Sequence, residues 1–127
     1  MATLETERIV IVDGAGRPRI MLESSENGAF LGLYDANHHT QVALGGGEKG
    51  PSLVLCDSNA QPRIGLRVSE DWPALVLTDK GARQRVFLGA MEEGPGLALL
   101  DTNGNQRVVL IPSPTPATET GEIRGLP

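Results

Sequence analysis

The sequence predicts an all-β protein: five copies of a 22-residue, two-stranded unit running as an antiparallel meander of hairpins, with a β-solenoid as the alternative. Three observations predict it. Asp13, Asp35, Asp57, Asp79 and Asp101 stand 22 residues apart and are five of the six Asp in the chain. Aliphatic residues recur at fixed offsets on both sides of each Asp and alternate with period two, the pattern of a strand with an apolar face. Gly, Asn or Pro stands wherever such strands would have to reverse.

The unit reads Leu-x-Leu-x-Asp-x5-Arg-(Ile/Val)-x-Leu. In the first copy Ile9 and Ile11 mark one strand, Asp13-Gly-Ala-Gly16 the turn, Ile20 and Leu22 the other strand, and Asn27-Gly28 the link onward. The second copy repeats this with Leu31 and Leu33, the turn Asp35-Ala-Asn-His38, Val42 and Leu44, and the link Gly50-Pro51. The third has Leu53 and Leu55, Asp57-Ser-Asn-Ala60, Ile64 and Leu66, then Trp72-Pro73. The fourth has Leu75 and Leu77, Asp79-Lys-Gly-Ala82, Val86 and Leu88, then Gly94-Pro95; the fifth has Leu97 and Leu99, Asp101-Thr-Asn-Gly104, Val108 and Leu110. β-Branched and aliphatic side chains suit a pleated surface. A Gly or Asn two or three places after each Asp suits a turn that needs positive φ, and the Asp carboxylate can accept a backbone N–H two residues on. The five Asp are therefore expected to close the turns. Residues 1–8 form a polar lead-in, 9–111 the five-repeat β domain, and 112–127 a Pro-rich tail or arm in which Ile123 and Leu126 could anchor to a neighbouring subunit.

The face opposite the Leu rows is also apolar. Three residues before and eight after each Asp stand Val10, Gly32, Val54, Val76 and Ala98, and Met21, Ala43, Gly65, Phe87 and Val109. A sheet with one wet face should be polar here, so something is expected to cover both sides. With no helical segment in the pattern, the natural cover is a second copy, and Val10, Met21, Val54, Val76, Phe87 and Val109 form the expected assembly face. The expected partner is the chain itself, as a homo-oligomer or filament.

Composition limits the other possibilities. A chain of 127 residues allows one ordinary domain, and 39% hydrophobic content is too high for a disordered acidic chain. A net charge of −5 disfavours a nucleic-acid partner. No apolar run is long enough for a membrane-spanning helix, so no membrane insertion is expected. The first eight residues lack the apolar core of a signal peptide, which points to a cytoplasmic location or export by a non-standard route. One Cys excludes an intrachain disulfide.

No catalytic constellation, cofactor site or metal site is expected, and the chain does not read as an enzyme. The Asp row lacks the bidentate Glu of a calcium loop. His38 and His39 are adjacent and have no third ligand in the pattern. Cys56 has no partner base, and Gly45-Gly-Gly47 opens no helix. Arg19, Arg63, Arg85 and Arg107, six residues after their Asp, are expected to pair with nearby carboxylates. Trp72 is expected to pack locally. A carbohydrate- or anion-binding repeat module is the alternative to a structural protein, with a glycan as the possible ligand. The repeated residues, however, are aliphatic and turn-forming, where a lectin would repeat aromatic and polar ones.

Leu31-Gly-Leu-Tyr-Asp35 and Leu99-Leu-Asp101-Thr-Asn-Gly104-Asn-Gln-Arg107-Val108 carry a family resemblance. The chain resembles bacterial tandem hairpin repeats of the pattern Leu-x-Leu-Tyr-Asp-x-x-Gly-x-x-Arg-Val, and more distantly the Tyr-Asp repeats of shell-forming bacterial proteins. Tyr precedes Asp only at position 34, and Gly follows three places later only at 16 and 104. The resemblance implies a β-hairpin array and self-assembly and brings no catalytic residue with it.

Overall fold

In the computed structural model the chain is one open sheet of 11 strands that follow one another in chain order. It describes residues 1–70, 72–111 and 122–124, of which 111 and 122–124 enter as strand backbone. The strands are β1 (Arg8–Val12), β2 (Pro18–Ser25), β3 (Gly28–Tyr34), β4 (Thr40–Gly47), β5 (Ser52–Cys56), β6 (Pro62–Ser69), β7 (Trp72–Thr78), β8 (Gln84–Met91), β9 (Gly94–Leu100), β10 (Gln106–Ile111) and β11 (Glu122–Arg124). Every neighbouring pair is antiparallel. The meander is thus the observed arrangement and the solenoid is excluded. A solenoid would stack β1 on β3 in parallel, whereas each short turn here folds a strand back onto its predecessor.

The reversals after the five Asp share one geometry. The Asp carbonyl accepts from the N–H three residues on, and the Asp N–H donates to the carbonyl four residues on. The loop is therefore three residues long. Its last residue sits in the left-handed region in every case: Gly16, His38, Ala60, Ala82 and Gly104, with φ from 60° to 82°. One extra residue then bulges from the returning strand, at Arg19, Gln41, Arg63, Arg85 and Arg107. The requirement for positive φ falls only on the third residue. Asn37, Asn59 and Gly81, one place earlier, do not meet it, and His38, Ala60 and Ala82 adopt positive φ without being Gly.

With this register the repeat becomes two unbroken aliphatic lines across the sheet. One runs through Ile9, Leu22, Leu31, Leu44, Leu53, Leu66, Leu75, Leu88, Leu97 and Leu110, each the cross-strand partner of the next. The other runs beside it from Ile11 and Ile20 to Leu99 and Val108. The opposite face carries its own line from Val10 and Met21 to Ala98 and Val109. There Phe30 and Tyr34 lie across Gly32, where an added Cβ would come within 2.6 Å of the Tyr34 hydroxyl, and Phe87 lies across Gly89. These aromatic rings bury the two glycines and supply the contact that a missing side chain cannot.

Among the described residues no second layer covers either face. Among the described residues no hydrophobic side chain is buried. The Leu rows, which the sequence pattern places inward, lie open with the rest of the sheet. A domain ordinarily needs two packed layers to make an interior. A non-Gly residue held at positive φ costs about 1 kcal/mol, so Ala60→Gly and Ala82→Gly should each raise the urea-unfolding free energy by roughly 0.5–1 kcal/mol. Gly81→Ala, at the neighbouring position without positive φ, stiffens the unfolded chain but puts a Cβ within 3.0 Å of the Arg83 guanidinium that pairs with Asp79, so its gain should be smaller.

Candidate functional site

Two features of the molecule can act on something outside it: a charged rim made by the Asp turns, and the two apolar faces. At the rim each Asp carboxylate is occupied by its own turn. One oxygen accepts from the N–H two residues on and from the N–H four residues on, at 2.8–3.1 Å in all five turns. The other oxygen receives side chains. Arg17 Nε reaches Asp13 at 2.8 Å, His39 Nδ1 lies 3.1 Å from Asp35, Arg83 Nε reaches Asp79 at 3.1 Å, and Asn105 Nδ2 reaches Asp101 at 3.2 Å. This fourth-residue partner was invisible in the sequence because Arg, His and Asn do not look alike as a repeat.

The bulged Arg couples one hairpin to the next. Arg19 pairs with Asp13 and donates from Nε to the Tyr34 carbonyl at 2.9 Å, one residue before the next Asp. Arg85 does the same with Asp79 and the Leu100 carbonyl, at 3.2 and 2.7 Å. Arg63 binds Asp57 and the Asp79 carbonyl, and Arg107 pairs with Asp101 at 2.9 Å. The expected Arg–carboxylate pairs are all present. The reach to the neighbouring hairpin was not expected, because only the bulge aims the side chain that way. Gln41 holds the same bulge in the second copy and has no guanidinium to bridge with.

These contacts set the acidity of the row. The N–H of Arg17, then that of Ala15 and the Arg17 guanidinium, hold Asp13 down to about 2 against partial burial. Asp35, Asp57 and Asp101 are lowered first by the N–H groups of His39, Gln61 and Asn105. At Asp79 burial opposes, but the Arg83 and Gly81 N–H groups and Arg85 outweigh it, and the net direction is down. Cys56, half-buried next to this rim, has its thiol pushed up by burial and then by the Asp57 charge, so it is not an activated nucleophile. His38 stacks on Tyr34 with ring centroids 4.7 Å apart, and His39 is taken by Asp35, so the two imidazoles serve different local contacts. Trp72 is half-buried and opens β7 opposite Ser69.

The faces are the larger feature. The five Leu that stand nine residues after each Asp (Leu22, Leu44, Leu66, Leu88 and Leu110) are 37–46% exposed. A groove of about 530 Å³ crosses this face between Leu44 and Pro95, floored by Leu53, Leu66, Leu75 and Leu88. Of the residues expected to form the assembly face, Val10 and Met21 face each other across β1 and β2, Val54 and Val76 flank Gly65, and Phe87 and Val109 follow on the same line. Val10 is exposed and the others are half-exposed. Of the expected tail anchors, Ile123 lies in β11, paired by backbone with Leu110 of the same chain, and Leu126 lies outside the described residues, as does 112–121. At least this part of the tail adds a strand to its own sheet edge.

No family model matches the chain, and no curated protein matches it.

A carboxylate held below its unfolded value of 3.8 stabilises the fold above that pH and loses the contribution as pH falls through the folded value. The urea midpoint should therefore be level above pH 5 and fall between about pH 4 and pH 2. Asp57→Asn keeps an acceptor for the two N–H groups but loses the charge facing Arg63. Asp57→Ala loses both, so midpoints should order wild type, then Asn, then Ala. Gln41→Arg should restore the missing bridge towards the third hairpin and raise the unfolding free energy by a fraction of a kcal/mol, with the gain shrinking in high salt.

Proposed function

We propose that this is a structural, self-assembling β-repeat protein whose five-hairpin array builds a homo-oligomer or filament. The observation that carries the reading is a single sheet, apolar on both faces, in which no described hydrophobic side chain is buried. Burying a fully exposed aliphatic side chain gains about 1.5–3 kcal/mol. The Leu at 37–46% exposure have that share of their surface left to bury, and among the described residues nothing of the chain covers them. Exposed apolar patches of this extent mark interaction surfaces. The repeat unit suits the purpose. Its invariant positions build strands and turns, and its charges are used within the rim, where Asp and Arg satisfy one another. That same pairing leaves few free cations for an anion or glycan and weighs against a binding module.

Light scattering of the purified full chain should give a mass of at least two copies of the 13.4 kDa chain, and negative-stain images should show rings or filaments. A stable, monodisperse, folded species of one chain mass is the contrary result. Glycan binding at micromolar strength by such a monomer would favour the module instead.

A further inference from the structure

The two faces are not equivalent, and the difference points to how copies meet. We infer that a second copy seats on the Leu face, turned over about an axis running across the strands, so that the Asp-turn rim of one copy lies over the link rim of the other. The inference rests on the self-assembly reading and adds a surface and an orientation to it.

The Leu face is chosen on three grounds. Its two central lines hold only Leu, Ile and Val at all 20 positions, whereas the opposite face interrupts its line with Gly32 and Gly65 and fills part of it with Ala43 and Ala98. Its size is that of a stable interface. Ten strands about 4.8 Å apart, with an apolar band roughly five residues tall, make about 700–800 Å², close to the roughly 800 Å² per partner of a standard protein–protein contact. Its shape also fits itself. β-Sheets twist, and a twisted sheet is a saddle that reproduces its own form when turned over about an axis along or across its strands. The groove over Leu53, Leu66 and Leu75 on one copy then receives the convex diagonal of the other.

Charge selects between the two axes. In a meander all the Asp turns lie on one rim and all the links on the other. Residues 13–19, 35–41, 57–63, 79–85 and 101–107 hold seven Arg and Lys against five Asp. The links 23–30, 45–52, 67–73 and 89–95 hold seven carboxylates against two cations. Among the described residues, Glu23 is the only one of those carboxylates in an ion pair, with Arg8 at 3.6 Å. An axis along the strands would lay acidic link rim on acidic link rim. An axis across them lays the turn rim, net +2 and with its Arg already paired to Asp, over the link rim at net −5, and so avoids that like-charge contact. The middle Leu line then packs on its own counterpart, and the turn-side line containing Ile64 packs over the link side, where Val68, Pro73, Ala90 and Pro95 stand.

Single cysteines test this in a Cys56→Ser background, which removes the native thiol on the opposite face. Ile64 and Val68 are four residues apart on β6, about 13 Å along the strand, and packed sheets lie about 10 Å apart. A short bis-maleimide therefore distinguishes a residue directly across from one displaced along the strand. Leu66→Cys should cross-link with itself, while Ile64→Cys and Val68→Cys should cross-link only when the two proteins are refolded together. Ile64→Cys and Val68→Cys each linking to themselves would overturn the orientation. No cross-link at any of the three positions, with the light-scattering mass still that of an oligomer, would overturn the Leu-face contact and leave self-assembly standing. A monomeric parent with no cross-link would overturn both. Far-UV circular dichroism identical to that of the parent shows that each variant is folded, and these conservative changes leave the rims untouched.

Discussion

A β-sheet buries side chains only against something laid upon it, and among the described residues nothing of this chain is laid on either face. Most features of the molecule follow from that constraint. Large aromatics, which in an ordinary domain would fill a central cluster, are rare, and Phe30, Tyr34 and Phe87 lie over glycines within the sheet. Apolar residues fall into lines, because the antiparallel register sets residues at fixed offsets from each Asp opposite one another. The hydrophobic free energy that would stabilise a two-layer domain is available here only through contact with a further surface.

Within the layer, order is passed from each hairpin to the next. The carboxylate fixes its own turn through two N–H groups, and its second oxygen orients the bulged Arg. That Arg then ties to a carbonyl one residue before the next Asp, or at that Asp itself. Each unit thus touches only its neighbours, the arrangement of a one-dimensional repeat array. The array lacks the Arg bridge at the second copy, where Gln41 stands, and holds Ala60 and Ala82 in a conformation suited to Gly.

Much of this was legible in the sequence. The 22-residue step of Asp and the period-two aliphatics point to strands, turns, both apolar faces and the pairing of Arg with Asp, because each depends on residue type at a fixed offset. The three-residue loop was less legible. A turn with Gly81 or Asn59 at its second position reads as if those residues carry the positive φ, when it is the bulge register that assigns it to Ala82 and Ala60. The side chains at Arg17, His39, Arg83 and Asn105 meet the same Asp oxygen through different chemistry, so no repeated letter marked them. The openness of the Leu rows was legible only in part, through the lack of any helical segment that could lie on them. Alternation shows that a face is apolar and is silent on whether the chain itself covers it.

If burial between copies stabilises the fold, then unfolding is linked to dissociation and depends on concentration. The direct measurement is the thermal or urea midpoint of the full chain over a hundredfold range of protein concentration, followed by circular dichroism. The account predicts a midpoint that climbs steadily with concentration. A midpoint that stays fixed across the range, with a cooperative transition and a mass of one chain before it, would contradict it.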